Sequence, residues 1–414
     1  MGVVSIHARM EEMRQLLKIS QQTGWQVLGK IITSVSTFII LGVVTRNYGE
    51  EGTGVFTLAL TYLAILYLLS DFGFNAHVLR KFSIFNFQFS IEWRKLLGTR
   101  IIWSVILVVL AVGLLPFWPF ATKEFSQAIM IGSLAIVGSG VFVTCNLIFQ
   151  SKLRYDLSVL ASSTGTIISL VVFVYLIWLK YPIPFLMLAH LLGWTIIAMV
   201  AFVLIRKIGQ VVFPIYDKQY TINLFKTSWP IAATLALNVV YFRADSFMIS
   251  YFRSNAEVGI YNVAYSVFQT ALVLPTFIMN AYYPMMLKSF KGIKIVALGL
   301  LVIASGSTLL VLILAPFISK LLTGGGFLGT SLSLQILSLG FPAYFLSALL
   351  MWIMVTQGRY KIMLIIYAVG LVVNLVLNLI YIPQYSFVAA SWITVISEYV
   401  ILMLQGVVLW FERR

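Results

Sequence analysis

The chain has 414 residues, of which 61% are hydrophobic and only 10% charged, and its net charge is +15. That apolar share lies far outside the balance of water-soluble domains, which excludes a soluble enzyme or binding module and predicts a membrane-embedded protein. On this background the basic excess reads as a topology signal and not as a nucleic-acid footprint.

Residues 1–22 are expected to be a cytoplasmic leader. Glu11, Glu12, Arg14 and Lys18 precede the first apolar run, which is not the order of a signal peptide. Residues 10–19 form either a short amphipathic helix on the inner face or a solvated segment. Twelve hydrophobic runs follow. The first six cover 24–45, 55–74, 100–120, 126–149, 157–179 and 183–205; the second six cover 228–252, 258–279, 295–318, 332–355, 363–382 and 387–410. Each has about the 20 apolar residues that a helix needs to cross the hydrocarbon, twice a β-barrel strand and without its alternation. The expected fold is all-α and integral to the membrane, with twelve transmembrane helices in two six-helix bundles. The first bundle covers 23–207, a cytoplasmic linker 208–227 and the second bundle 228–414. The longest polar connections, 75–98 and 206–226, are too short for a soluble domain.

With both termini in the cytoplasm, the inner segments hold 21 of the 28 Lys and Arg, Arg100 among them. The outer segments hold Arg46, Lys123, Lys180, Arg253 and Lys320, and Lys30 and Arg243 stay inside spans. This asymmetry is the positive-inside pattern, and anionic lipids add to the attraction. The single cysteine, Cys145, lies in a span and reads as ordinary packing, with no disulfide and no metal cluster implied. His190 reads as a hydrogen-bonded helix residue, and Asp71-Phe-Gly73 lacks the loops that would make it a kinase motif.

The halves repeat. Gln150-Ser-Lys152-Leu-Arg154 follows span 4 and Gln357-Gly-Arg359-Tyr-Lys361 follows span 10, while Arg46 and Arg253 close spans 1 and 7 (253 − 46 = 207). Gly54-Val-Phe-Thr-Leu-Ala59 matches Gly259-Ile-Tyr-Asn-Val-Ala264 with a shift of two residues. Six spans per half make the repeats parallel, related by a pseudo-two-fold axis along the membrane normal.

Thr45-Arg46-Asn-Tyr-Gly49-Glu-Glu-Gly52-Thr-Gly54-Val-Phe resembles the stretch after the first helix of polysaccharide flippases in the multidrug/oligosaccharidyl-lipid/polysaccharide (MOP) superfamily. Asp71-Phe-Gly73, Ser228-Trp-Pro230 through Arg243-Ala-Asp245, and Glu257-Val-Gly259-Ile-Tyr261 fit the same order. So do Gly358-Arg359-Tyr-Lys361, Asn374, Asn378, Ile382-Pro383 and Ala389-Ala390. Ser386 and Val388 replace glycines of that pattern. The resemblance implies an O-antigen or exopolysaccharide flippase of a bacterial or archaeal inner membrane. Its cargo would be an undecaprenyl-diphosphate-linked oligosaccharide, carried by alternating access, with polymerase or chain-length machinery as partners. Lipid II flippases of the superfamily typically carry two further helices, so the peptidoglycan precursor is the less favoured cargo. Competing readings are a drug or cation exporter of the same superfamily, and a membrane-embedded O-antigen polymerase or glycosyltransferase. The outer loops carry only Glu50, Glu51, Glu124 and Glu257 as acids, which argues against an enzyme, and no cofactor is expected.

A charge at mid-bilayer costs about 2.5–3.5 kcal/mol on insertion scales, so Arg243 and Asp245 read as functional. Arg243 and Lys30, the latter about 9 Å into its span, are expected to meet the diphosphate; the alternatives are a salt bridge for Arg243 and snorkelling for Lys30. Asn262, Ser266 and Gln269 share a face and are candidate sugar contacts. Asp245, two residues from Arg243 and on the opposite face, shares its own face with Asn238 and Tyr241. Glu398 lies on a polar stripe with Ser391, Thr394 and Gln405. Asp245, Glu398, Asn374 and Asn378 are candidates for coupling to H+ or Na+, against a purely structural hydrogen-bonding role. Outward movement of an anion releases ~2.3 kcal/mol per charge per 100 mV, so the membrane potential favours export.

Overall fold

The computed structural model describes residues 2–82, 88–118, 121–209, 211–290 and 292–411, with the side chains of 2–20, 23, 80–82, 88–89, 238, 280, 281, 284 and 288 left aside. The side chains of the leader segment 10–19, Asn238, and the terminal Arg413 and Arg414 therefore lie outside the described residues. Among the described residues all regular structure is helical: α1 (Gly2–Asp71), α2 (Phe74–Phe82), α3 (Gln88–Gly113), α4 (Lys123–Gly132), α5 (Ala135–Ser151), α6 (Tyr155–Trp178) and α7 (Ile183–Lys207) are followed by α8 (Lys218–Phe252), α9 (Asn255–Ala271), α10 (Val273–Lys288), α11 (Ile293–Thr323), α12 (Leu328–Ser338), α13 (Phe341–Thr356) and α14 (Tyr360–Phe411). A single 3-10 turn, Leu115–Phe117, follows α3.

Eight of these stretches are long and apolar enough to cross a membrane, or nine if α12 and α13, bent by 42° at their junction, make one span. Two are far longer than a single crossing needs. Residues 24–79 run for 56 residues and α14 for 52; α1 and α14 each contain one internal break, and the 24–79 stretch also turns at Phe72-Gly73 between α1 and α2. In α1 the break is Gly49 (φ 65°, ψ −167°), a conformation that glycine adopts freely. In α14 it is Ser386 (φ 52°, ψ −136°), where an L side chain is strained. Spans 1 and 2, and spans 11 and 12, are thus joined through one-residue breaks, because the polar residues between them are too few to form a loop.

Packing divides the chain into two units, which interleave in sequence. Unit 1 holds Met1–Ile40 and Tyr62–Leu235; unit 2 holds Leu41–Thr61 and Ala236–Arg414. In unit 1, Trp93, Leu96, Phe149, Ile148 and Phe74 are fully buried in one cluster. There His190 Nε2 meets the Tyr67 hydroxyl at 2.6 Å, the hydrogen-bonded role the sequence predicts for it, and Cys145 is buried packing. In unit 2, Ser254 caps α9 by accepting from the backbone of Glu257, an S-x-x-E start at which the chain leaves α8.

The part of α1 beyond Gly49 crosses α9 at two glycines. A Cβ on Gly54 would lie 1.6 Å from the carbonyl oxygen of Asn255, and one on Gly259 would lie 2.4 Å from that of Glu50. Only a residue without a side chain lets the two backbones approach this closely. At the same crossing the Ala256 amide donates to the Glu51 carboxylate, and Asn262 Nδ2 donates to the Thr57 hydroxyl, each at 3.0 Å and each across 205 residues. Residues one repeat apart therefore face each other, as in a two-fold contact between identical surfaces.

The same register governs the turns that end α5 and α13. Lys152, Leu153 and Arg154 donate their amides to Ile148, Gln150 and Phe149; Gln357, Gly358 and Arg359 donate theirs to Ile353, Val355 and Met354. Leu153 (φ 50°) and Gly358 (φ 71°) occupy the same left-handed position. Hydrogen bonding thus equates Arg154 with Arg359, a step of 205 and not the 207 suggested by the glutamines.

Candidate transport site

Each unit buries a charge, and the two do so differently. In unit 1, Arg100 of α3 is 0% exposed. Its Nη2 donates to Asp71 Oδ1 at 2.9 Å, and its Nη1 donates to Asn75 Oδ1 and Thr144 Oγ1 at 3.0 Å each. The guanidinium also lies 5.5 Å over the Phe74 ring. Asp71 ends α1, Asn75 lies in α2 and Thr144 in α5, so one cation gathers three elements of the unit. Arg100 is therefore a buried, paired cation and not one more solvated charge among the basic residues around it in sequence. Its neighbours Arg94 and Lys95 do reach the 208–217 connection, where they meet the Phe213 carbonyl and Asp217, but Arg100 is turned inward to the carboxylate that closes α1. A carboxylate at the end of span 2, with no base within a turn of it in sequence, was the available signal.

In unit 2 the charges are acids, and they hang on two rungs. Tyr241 and Asp245 lie one turn apart on α8, and Thr394 and Glu398 lie one turn apart on α14 beyond Ser386. Asp245 pairs with Thr394 while Tyr241 pairs with Glu398. The rungs are therefore separated by about 6 Å of helix rise. Asp245 is buried and accepts three hydrogen bonds, from Asn378 Nδ2 at 2.6 Å, the Tyr261 hydroxyl at 2.7 Å and the Thr394 hydroxyl at 2.9 Å. Asn378 Nδ2 also donates to Asn374 Oδ1 at 3.0 Å, one turn back on the same helix. Asn378 Oδ1 is buried without a partner. Glu398, equally buried, accepts from the Tyr241 hydroxyl at 3.2 Å and from Ser347 of α13. Among the described residues no ion pair forms at Asp245, Glu398 or Arg243. A carboxylate held in low dielectric by neutral donors alone is primed to take up a proton or a cation.

The structure thus brings Asp245, Asn374 and Asn378 together and seats Glu398 on the next rung. The polar stripe on α14 is largely engaged: Ser391 meets Ser333 at 2.6 Å and Gln405 Nε2 donates to the Tyr367 hydroxyl at 3.5 Å, while Gln405 Oε1 is buried without a partner. Tyr261 and Ser347, which supply donors to the two acids, were not predicted as site residues, Tyr261 entering only as part of a family motif. Both stand on predicted helices among apolar neighbours, where a lone hydroxyl is unremarkable until a carboxylate faces it.

Arg243 is half-buried on the other face of α8, and its Nη2 reaches Gln269 Oε1 at 3.5 Å. Ser266, one turn before residue 270 on the same helix, donates to the carbonyl of Asn262 at 2.7 Å. Asn262 is 4% exposed and engaged at both ends of its amide, accepting from Ser246 at 2.6 Å and donating to Thr57. Its geometry serves the glycine crossing. Lys30 is exposed on unit 1. No group of three or more His, Cys, Asp or Glu that could hold a metal occurs among the described residues.

A model of the polysaccharide biosynthesis protein family matches residues 19–290. A putative O-antigen transporter of Shigella dysenteriae is 22% identical over 347 residues, which are 82% of this chain and 86% of the relative. Among solved structures, the lipid II flippase MurJ in an inward closed conformation superposes with a TM-score of 0.76 at 13% identity, covering 94% of this chain and 87% of that one. An inward-facing multidrug resistance MATE family transporter of the MOP superfamily gives 0.69 at 14% identity, covering 91% and 93%. These likenesses establish the fold. The chain belongs to the polysaccharide biosynthesis protein family, as a multi-pass membrane protein with the transporter fold of the MOP superfamily.

Proposed function

We propose that the protein is a flippase that moves a polyprenyl-diphosphate-linked oligosaccharide from the inner to the outer leaflet by alternating access. The observation that carries this reading is the contrast between two inward-lying arginines. Arg100 is neutralised by Asp71, whereas Arg243 is half-buried, reaches the neutral Gln269 and forms no ion pair among the described residues. An uncompensated guanidinium at membrane depth is expensive unless an anion visits it, and its planar fork matches a phosphate. Gln269 on α9 lies beside it; Gln269 and Ser266 of the same helix are assigned as amide and hydroxyl contacts for sugar, and Lys30, exposed on unit 1, is assigned separately as a phosphate contact.

Twelve crossings, six per bundle, fit this reading when residues 24–79 and α14 each count as two passes and α8 as one more. The skewed distribution of Lys and Arg between alternate connections supports an orientation with both termini in the cytoplasm, in an inner membrane. The membrane potential then favours outward movement of the diphosphate by ~2.3 kcal/mol per charge per 100 mV. Coupling is assigned to the acidic rungs. Asp245, Asn374, Asn378 and Thr394 offer oxygens suited to Na+, and Glu398 is suited to a proton. The relative from Shigella dysenteriae supports an O-antigen-type cargo, and no acid/base pair on the outer loops favours an enzyme.

The test uses the full chain in proteoliposomes with a fluorescent undecaprenyl-diphosphate oligosaccharide. Arg243→Gln is expected to cut flipping at least tenfold while preserving expression and the thermal midpoint. Flipping at the wild-type rate would discard the anion-contact role. A fluorescent organic cation exported by the wild type, and not by Asp245→Asn, would favour the drug-exporter reading instead.

A further inference from the structure

Among the described residues, unit 2 buries two tyrosine hydroxyls without a hydrogen-bond partner. Tyr265 of α9 is 2% exposed and Tyr344 of α13 is 8% exposed. Their rings are well seated. Tyr265 stacks on Tyr261 at 5.5 Å, Tyr344 stacks on Phe242 at 6.5 Å, and the Phe268 ring stands between the two at 5.8 and 5.4 Å. A phenylalanine at either place would fill the same space, whereas a hydroxyl stranded in low dielectric is costly. Packing alone therefore gives no reason for a tyrosine at both.

Their surroundings supply one. Tyr344 lies one turn before Ser347 on α13, and Ser347 donates to Glu398. Tyr265 lies one turn after Tyr261 on α9, and Tyr261 donates to Asp245 at 2.7 Å. Glu398 acts electrostatically on both unbonded hydroxyls, on Tyr241 of α8 and on Tyr367 in the first half of α14. Asp245 and Arg243 act on Tyr265 as well. The acid is thus surrounded from α8, α9, α13 and α14 by hydroxyl groups, which donate and accept alike. Ser397, whose hydroxyl is also unbonded, precedes Glu398 and so lies about 100° around the helix from it.

As a carboxylate, Glu398 needs donors and has them in Tyr241 and Ser347. A proton reverses part of this demand: one oxygen becomes a donor, and a buried donor requires an acceptor. We propose that Tyr344 is that acceptor, with Tyr265 behind it, and that the pair is what lets Glu398 hold a proton inside unit 2. The inference rests on the assignment of Glu398 to a proton and names the group that secures it. The step balances without any change in the tyrosine. A hydronium ion gives its proton to the carboxylate and leaves as water, the new O–H donates to the Tyr344 oxygen, and loss of the proton to water frees that oxygen again. Stacking against Phe242 keeps the acceptor in place in both states.

Infrared spectroscopy of the purified full chain, titrated toward acid, reads the proton directly. A carboxyl band that grows in the wild type and is missing from Glu398→Gln belongs to protonated Glu398. Tyr344→Phe keeps the ring and removes the acceptor, so the band is expected to move to higher frequency, as for a carboxyl group that has lost a hydrogen bond. In proteoliposomes the same variant should lose roughly tenfold of the acceleration that a proton gradient gives, the scale of one hydrogen bond missing from one of two states. Its thermal midpoint before acidification should be no lower than that of the wild type, which separates this role from a structural one. Tyr265→Phe should move the band the same way by less and carries the test if the first variant does not fold; Ser397→Ala should leave the band in place. An unmoved band in both tyrosine variants overturns the partner and spares the proton assignment. A band absent from the wild type at every pH overturns both, so the two failures are told apart.

Discussion

Units 1 and 2 solve the problem of a buried charge in opposite ways. In unit 1 the cation Arg100 is closed off by Asp71, Asn75 and Thr144, and the group is balanced within itself. In unit 2 the acids Asp245 and Glu398 receive neutral donors only, and the cation Arg243 lies on another face beside an amide. A balanced buried pair fixes structure, and its loss is felt as instability. An unbalanced one costs stability in return for the capacity to bind a charged visitor. Burial alone does not draw this distinction, since Arg100, Asp245 and Glu398 are all hidden from solvent.

The largest effect should come from breaking the balance in unit 1. Asp71→Ala leaves the guanidinium of Arg100 buried without its counter-charge, which typically costs about 3–5 kcal/mol. The thermal midpoint in detergent should fall steeply, and transport should fall only with the amount of folded protein. In contrast, Asp245→Asn removes a charge that no cation balances, so its midpoint should equal or exceed that of the wild type; a large drop would show that the acid is structural. Next in size is the glycine crossing of unit 2. Gly54→Ala forces a Cβ onto the Asn255 carbonyl, and overpacking of this kind costs about 1–3 kcal/mol. Gly299→Ala, where nothing lies within 4 Å, is the control and should be close to neutral.

The smallest effect concerns an exposed contact. Lys95 donates to Asp217 at 2.6 Å and holds that carboxyl below the ordinary carboxylate range. Because the folded state depresses it, its contribution is present above the unfolded value near pH 4 and is lost as pH falls through the folded value. The midpoints of the wild type and Asp217→Asn should differ slightly at pH 7 and merge as pH falls through the folded value of Asp217. A gap that widens in acid would mean that the carboxylate is stabilised by something other than its charge.

Much of this was legible from the residues alone, for a physical reason. Membrane helices announce themselves by length and apolarity, and an ionisable residue among them is rare enough to be noticed, so Arg243, Asp245 and Glu398 stood out. Their pairing did not. That Asp245 meets Asn378 and Thr394, while Glu398 meets Tyr241 and Ser347, depends on how α8, α13 and α14 rotate against each other, which periodicity does not fix. Arg100 was hidden by its company, since Arg94 and Lys95 made it look like one more charge at the membrane edge. Asn262 looked available for sugar because its partners, Ser246 and Thr57, come from 16 and 205 residues away. Ser386 was visible as a departure from glycine; only the backbone shows that it keeps the positive φ that glycine would have supplied.

The claim that unit 2 holds the working charges is tested most directly by the gradient dependence of flipping in Asp245→Asn proteoliposomes. With the membrane potential clamped, wild-type flipping should accelerate several-fold when a Na+ or proton gradient is imposed, and the variant should flip at one low rate whichever gradient is present. Full gradient acceleration in the variant would contradict the account and move coupling away from the Asp245 rung.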